Sequence, residues 1–259
     1  MAENQINSKK SARNKIAVWA FLSAVVTGVA VVVTVMSGFG SKWDLWDFGF
    51  GFQLLRWGVY IAFAGILFAI IGIIQTRPST NRRGLVLSLV SLITAVIVIG
   101  IPLSYYRTAK QVPPIHDIAT DTNNPPQFRA LLPLRREAPN GSVYGGEQVA
   151  SLQKKAYPDI QTFHSPLPLD SLYHYALISA QNMGWQIIVA EPDSGRVEAT
   201  DETFWYGFKD DIVLRVKPDS VGSKVDIRSV SRVGRSDVGK NARRIRAYLK
   251  HLRATLSRS

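Results

Sequence analysis

Three long runs without a charged residue constrain this chain more than any other feature. They are Ile16 to Met36, Trp57 to Ile74 and Gly84 to Ser104, of 21, 18 and 21 residues. A helix rises about 1.5 Å per residue, so roughly 20 apolar residues cross a hydrocarbon core of about 30 Å. The second run is short by itself. It extends back past Arg56, whose guanidinium can snorkel to the interface. The spacing therefore predicts membrane-crossing helices over about 16–36, 54–74 and 84–104, the conformation that satisfies its backbone within lipid. The first run follows a basic flank (Lys9, Lys10, Arg13, Lys15). It is longer than the roughly 7–15-residue apolar core of a cleaved signal, and two further runs follow, so it reads as a retained helix.

Charge divides the chain at the same place. Residues 1–104 hold only three acids (Glu3, Asp44, Asp47), whereas 105–259 hold 16 acids and 22 of the 31 Lys and Arg residues. The predicted organisation is a membrane domain over 1–104, a Pro-rich extended arm over 105–132 and a soluble domain over 133–259. The absence of cysteine excludes disulfides, thiolate metal sites and a cysteine nucleophile. Basic residues favour the cytoplasmic side. The N-terminal flank has four, the loop over 75–83 has three (Arg77, Arg82, Arg83), the loop over 37–56 has two, and Arg107 and Lys110 follow the third run. That count places the N-terminus in the cytoplasm and residues 105–259 outside, in a bacterial periplasm or its equivalent. The stretch Gly38 to Phe52 is rich in glycine and aromatic residues and reads as an interfacial loop. Trp43, Trp46 and Phe50 within it, and Trp57 just beyond it, are the expected membrane-interface anchors.

The soluble half reads as α+β, in the order helix, antiparallel strands, helix. Prolines 113, 114, 125 and 126 bar a helix from 105–128, and 133–147 reads as loop. Apolar residues at three- and four-residue spacing predict a helix over about 167–183, with Gly184 at its C-terminal cap. Strands are expected over 185–191, 196–200, 211–217 and 224–233, with turns at Pro192–Gly195 and 219–223. In the last strand Val225, Ile227 and Val233 should face inward, and Asp226, Arg228 and Arg232 outward. Two registers keep the apolar faces of the last hairpin matched. One sets Arg215 opposite Asp226; the other sets Lys217 opposite Asp226 and Asp211 opposite Arg232. Val238, Ala242, Ile245, Leu249, Leu252 and Leu256 form the apolar stripe of a final helix over about 237–256, capped by Ser236 or Asp237.

No nucleophile elbow, phosphate-binding loop, dinucleotide fingerprint or metal-ligand spacing is present, and no metal or cofactor is expected. The densest polar constellation runs from Asp226 to Arg246. Arg228, Arg232, Arg235, Ser236 and Asn241 are candidate ligand- or anion-binding residues around a helix start. Asp237 opposes an anion there and supports capping instead. His116, Asp117, Asp210 and Asp211 are candidate acid–base or metal-binding residues. Residues 222–259 carry 11 basic residues against two acids. That face suits anionic headgroups, or simply solvent. Nucleic acid is disfavoured by the exterior location and by the lack of an aromatic stacking platform on the helix.

Pro-Pro-Ile-His-Asp-Ile (113–118), Ala-Tyr-Pro-Asp-Ile (156–160), Met-Gly-Trp (183–185), Gly-Arg-Val-Glu-Ala-Thr (195–200), Gly-Phe-Lys-Asp-Asp (207–211) and the run over 226–245, taken in order, resemble one family. It is the bacterial and plastid family catalogued as domain of unknown function 1499, and the resemblance covers about 112–252. The membrane half resembles, less specifically, the anchor of some proteobacterial members. The resemblance implies that His116, Asp117, Asp210, Asp211, Arg228, Ser231, Arg232, Asp237 and Asn241 belong to a shared pattern, either a site or the scaffold that docks the Pro-rich arm. It transfers no catalytic residue. The expectation is a multi-pass bacterial inner-membrane protein whose periplasmic domain is a binding or structural module for an anionic lipid or an envelope protein. The alternative is a hydrolase-like enzyme using charged residues around Asp210, Asp211 and Arg232.

Overall fold

The computed structural model describes residues 16–77, 80 and 82–257. The basic flank Lys9, Lys10, Arg13 and Lys15 lies outside them. The chain forms two compact units, Met1–Tyr106 with Phe204–Gly207, and Arg107–Thr203 with Phe208–Ser259.

The first unit is built on α1 (Val18–Lys42), α2 (Phe48–Gln75) and α3 (Leu85–Gln111). All three are long and apolar enough to cross a membrane. Two expectations are corrected. The stretch 38–52 is mostly helical, and only 43–47 turns the chain, with the Asp47 carboxylate accepting the Gly49 and Phe50 N–H groups at 2.8 and 3.1 Å. Its glycines are packing positions and not breakers: Gly40 lies against the Trp46 ring and Gly38 against the Trp205 ring. Residues 105–111 are not extended either, because α3 continues to Gln111 and the first effective breaker is Pro113. Trp43, Phe50 and Trp57 are exposed, and Trp46 is half-buried.

Polarity in this unit runs opposite to that of a soluble bundle. Val25, Val32, Phe63, Ile70, Val86 and Ile93 point outward, while α1 buries Ala20, Ser23, Thr27, Ala30, Thr34 and Ser37 against Gly51, Gly58, Ala62, Gly65, Ala69 and Gly72 of α2. Small residues let helix backbones approach where no hydrophobic drive separates helix from lipid. The buried Thr27 and Thr34 hydroxyls have no conventional partner among the described residues. They occupy the places where side chains at Gly65 and Gly58 would begin, so weak contacts to glycine Cα–H groups are what this geometry offers them. At Gly72 a Cβ would sit 3.1 Å from the Ala20 backbone. Gly72→Leu is therefore expected to prise α1 from α2 at a cost of about 1–3 kcal/mol. Loss of a designed disulfide or spin-label proximity between the two helices would register it.

The second unit has a six-stranded sheet of β1 (Asp117–Ala119), β2 (Phe163–Ser165), β3 (Gln186–Glu191), β4 (Arg196–Glu202), β5 (Lys209–Asp219) and β6 (Gly222–Ser231). All pairings are antiparallel. The order is β1-β6-β5-β4-β3, and β2 shares the β6 edge with β1. The hairpin takes the register with Arg215 opposite Asp226. Helices α6 (Leu169–Asn182) and α7 (Lys240–Leu256) cover one face. Gly184, at φ 74°, ends α6 as its position predicted. Leu172, Ala176 and Ala180 meet Ile245, Tyr248 and Leu252 over Ile212, Leu214, Val225 and Ile227. The stacked Trp185 and Tyr248 rings close this core, 5.2 Å apart.

The region over 133–147 is not plain loop. Pro133 opens a short helix, α4 (Leu132–Arg135), and Gly146 begins α5 (Gly146–Ala156). Gln153 of α5 is buried and pairs with both backbone groups of Ala119, at 3.0 and 2.6 Å. The largest correction concerns β6. Asp226 and Arg228 were expected to face solvent, yet both are wholly buried. Residues 120–142 cover the second face of the sheet, with Phe128 and Leu131 packed on Val213 and Val230. Alternation identifies which residues share a face; it does not say what lies over that face.

Candidate functional site

Adjacent strand residues point to opposite faces, and this separates Asp210 from Asp211. Asp210 lies on the helix face, where Arg244 of α7 reaches it at 2.5 Å and Lys240 at 3.5 Å. Asp211 lies on the other face, completely buried. It accepts from Arg135 at 2.7 Å, from Thr200 at 2.8 Å, and from Arg232 through two bonds of 2.9 and 2.8 Å. The two carboxylates therefore do not form an acid–base pair. Asp117 is a third separate centre. Arg228 holds it bidentately at 2.9 and 2.7 Å and also donates to the Pro126 and Ser142 carbonyls. The Phe128 ring lies 5.3 Å from both the Arg228 and Arg135 guanidinium carbons.

These clusters have a common geometry. Sheet residues clamp the segment that covers them. Glu198, fully buried, accepts the Arg129 and Leu131 N–H groups at 2.7 and 2.9 Å. Arg215 bridges Asp226 at 2.7 Å and Asp121 at 3.2 Å. Asn241 donates to the His116 carbonyl and the Ser231 hydroxyl and accepts from Ser229, tying β6, α7 and the lead into β1 together. Arg135, Gln153, Glu198, Arg215 and Arg244 were not among the candidates read from sequence. Glu198 and Arg244 did stand within quoted motifs, but a buried charge has no periodicity of its own to betray it.

The start of α7 is filled by the protein itself. Asp237 accepts the Gly239 and Asn241 N–H groups at 2.8 and 2.7 Å, and Ser236 accepts that of Val238 at 3.1 Å. Burial raises the Asp237 carboxyl above its ordinary range against the lowering effect of those bonds. The folded chain consequently binds more protons than the unfolded chain at pH values just above 3.8. Stability contributed by this group falls as pH rises through the folded pKa and then levels off. Asp237→Asn should remove that slope from the pH profile of thermal unfolding while keeping an acceptor at the helix start.

Of the five candidate anion-binding residues, Arg228, Arg232 and Asn241 are engaged as above, and Ser236 serves the turn. Arg235 alone is exposed with no ion-pair partner among the described residues. It borders a groove of about 300 Å³ with Pro114, Ile115, His116, Asp117, Asn140, Gly141, Val143, Gly145 and Val149. A shallower hollow of about 450 Å³ lies on the other side of Val143, lined by Thr122, Asn123, Gln127, Tyr144 and Glu147 among others. The Tyr144 hydroxyl is pushed up to about 12, by burial first and the nearby Asp117 charge second. Among the described residues, no group of three His, Asp or Glu side chains is placed to hold a metal ion.

An antiparallel sheet with two helices on one face and an arginine–carboxylate-clamped segment on the other, following three helices long and apolar enough to cross a membrane, defines an α+β protein. The family described as protein of unknown function (DUF1499) matches residues 117–252, and the chain belongs to it. The matched stretch opens at Asp117, the acid held by Arg228, and closes at Leu252, a core residue of α7. No curated protein matches the chain.

Proposed function

We propose that the protein is held in a bacterial inner membrane by its three apolar helices, N-terminus in the cytoplasm. Its α+β unit then works in the periplasm as a non-enzymatic binding or structural module for an envelope partner or lipid. One observation carries the binding reading. The carboxylates that sequence offered for chemistry, Asp117, Asp210 and Asp211, are each taken up in ion pairs, while the groove that Asp117 borders is open. A general acid or base needs a free proton-transfer path to substrate, and a carboxylate enclosed by two guanidinium groups lacks one. The orientation rests on the basic residues around the spans.

The test has two arms. Reporters fused after Ser259, one active only in the periplasm and one only in the cytoplasm, are expected to give signal from the periplasmic reporter alone; a cytoplasmic signal overturns the orientation. A photoreactive amino acid at position 143, whose valine is 85% exposed on the groove wall, is expected to capture an envelope protein or a lipid in growing cells. Efficient expression with no adduct overturns the binding reading.

A further inference from the structure

Two hollows flank Val143, and their chemistry differs. The shallower one is lined by amide, hydroxyl and carboxylate groups and has no cation. The groove has apolar walls, supplied by Pro114, Ile115, Val143 and Val149, and one exposed cation, Arg235, at its border. Its one acid, Asp117, is already neutralised by the bidentate Arg228. Asp237, the other acid near Arg235 in sequence, spends its oxygens on backbone N–H groups of the α7 start and is not part of the lining. The charge left uncompensated in the groove is therefore positive.

His116 adds a second donor. Its Nδ1 is buried without a partner. An orphaned buried N–H is rarer than an orphaned acceptor, so the imidazole is best accommodated with its proton on Nε2. That leaves an N–H on a residue that lines the groove. Pockets of this volume suit small ligands that bury an apolar body and fix it through a few polar groups. We propose that the groove binds an oxyanion, carboxylate or phosphate, carried on an apolar chain, with Arg235 and His116 Nε2–H on the anion and the chain along Ile115, Val143 and Val149. This deepens the lipid form of the binding reading above and rests on it.

The probe is a diazirine-bearing hexadecanoate, photolysed with the full-length chain in a neutral maltoside detergent, with adducts mapped by peptide mass spectrometry. Adducts are expected on 113–117 and 141–149, displaced by dodecanoate and by dodecyl phosphate. Whichever of the two competes better distinguishes a fatty acid from a phospholipid-like source. Arg235→Gln should cut groove labelling about tenfold, the usual loss for one charge-assisted contact. Gly141→Leu should block labelling without unfolding the unit, because a side chain there meets open space. Lys250→Gln, on the exposed side of α7, should change nothing. Equal displacement by inorganic phosphate, or by uncharged dodecanol, overturns the proposal, as does labelling confined to the three apolar helices. If the groove stays unlabelled while the position-143 crosslinker captures an envelope protein, this inference falls and the binding reading stands.

Discussion

Asp117→Ala is expected to destabilise the α+β unit by about 3–5 kcal/mol, the usual cost of stripping one partner from a buried ion pair. For a unit of this size that is a drop of about 10 °C in melting temperature, measurable by thermal unfolding of the full chain in detergent. The reason is positional. Arg228 is fully buried and its remaining donors reach only the Pro126 and Ser142 carbonyls, so no carboxylate replaces Asp117. Because Asp117 opens β1, opposite Val230 of β6, the damage should spread along β1. Hydrogen exchange at Ile118 and Ala119 is expected to accelerate more than at β3. The double variant Asp117→Ala/Arg228→Met should recover part of the loss, since removing both charges leaves no isolated one. A double variant as unstable as the single would show that Arg228 acts mainly through the two carbonyls.

Asp211→Asn is the second large effect, again about 3–5 kcal/mol. It leaves Arg135, buried, and Arg232, partly buried, facing a neutral amide that can accept from them through one oxygen. The same variant bears on the hydrolase alternative. A catalytic carboxylate replaced by its amide loses activity and keeps its fold, whereas a clamp loses its fold. Arg135→Gln should cost more than Arg232→Gln, because Arg135 also donates to the Asn140 and Gly141 carbonyls and is the more buried. An unchanged melting temperature for Asp211→Asn would return Asp211 to the list of reactive groups.

Why such residues read as a site in sequence and as a clamp in space is a matter of what covers them. His116, Asp117, Asp210, Asp211, Arg228 and Arg232 are polar, closely spaced and set in short motifs, which is how catalytic residues look. Alternation along β5 assigned Asp210 and Asp211 to opposite faces in principle. What it lacked was the identity of the partners, Arg244 from α7 and Arg135 from α4. The covering segment 120–142 has almost no apolar period, since backbone N–H groups, carbonyls and ion pairs hold it as much as Phe128 and Leu131 do. Helix α5 was unread for a related reason: its main buried contacts are Ala150 and a glutamine.

Sequence alone determined what depends on near neighbours along the chain. Three charge-free runs of membrane length, the apolar stripes of α6 and α7, the Gly184 cap, the Pro192–Gly195 turn and the alternation of β5 and β6 are local consequences of helix and strand periodicity. Tertiary structure decided what depends on residues far apart. It chose the register with Arg215 opposite Asp226, where that arginine also meets Asp121. It made Gly51, Gly58, Gly65 and Gly72 contact points between helices. It buried a face of the sheet that alternation had assigned to solvent. The physical reason is the same in each case: burial and charge pairing are set by what packs opposite a residue, and that partner is brought in from elsewhere in the chain.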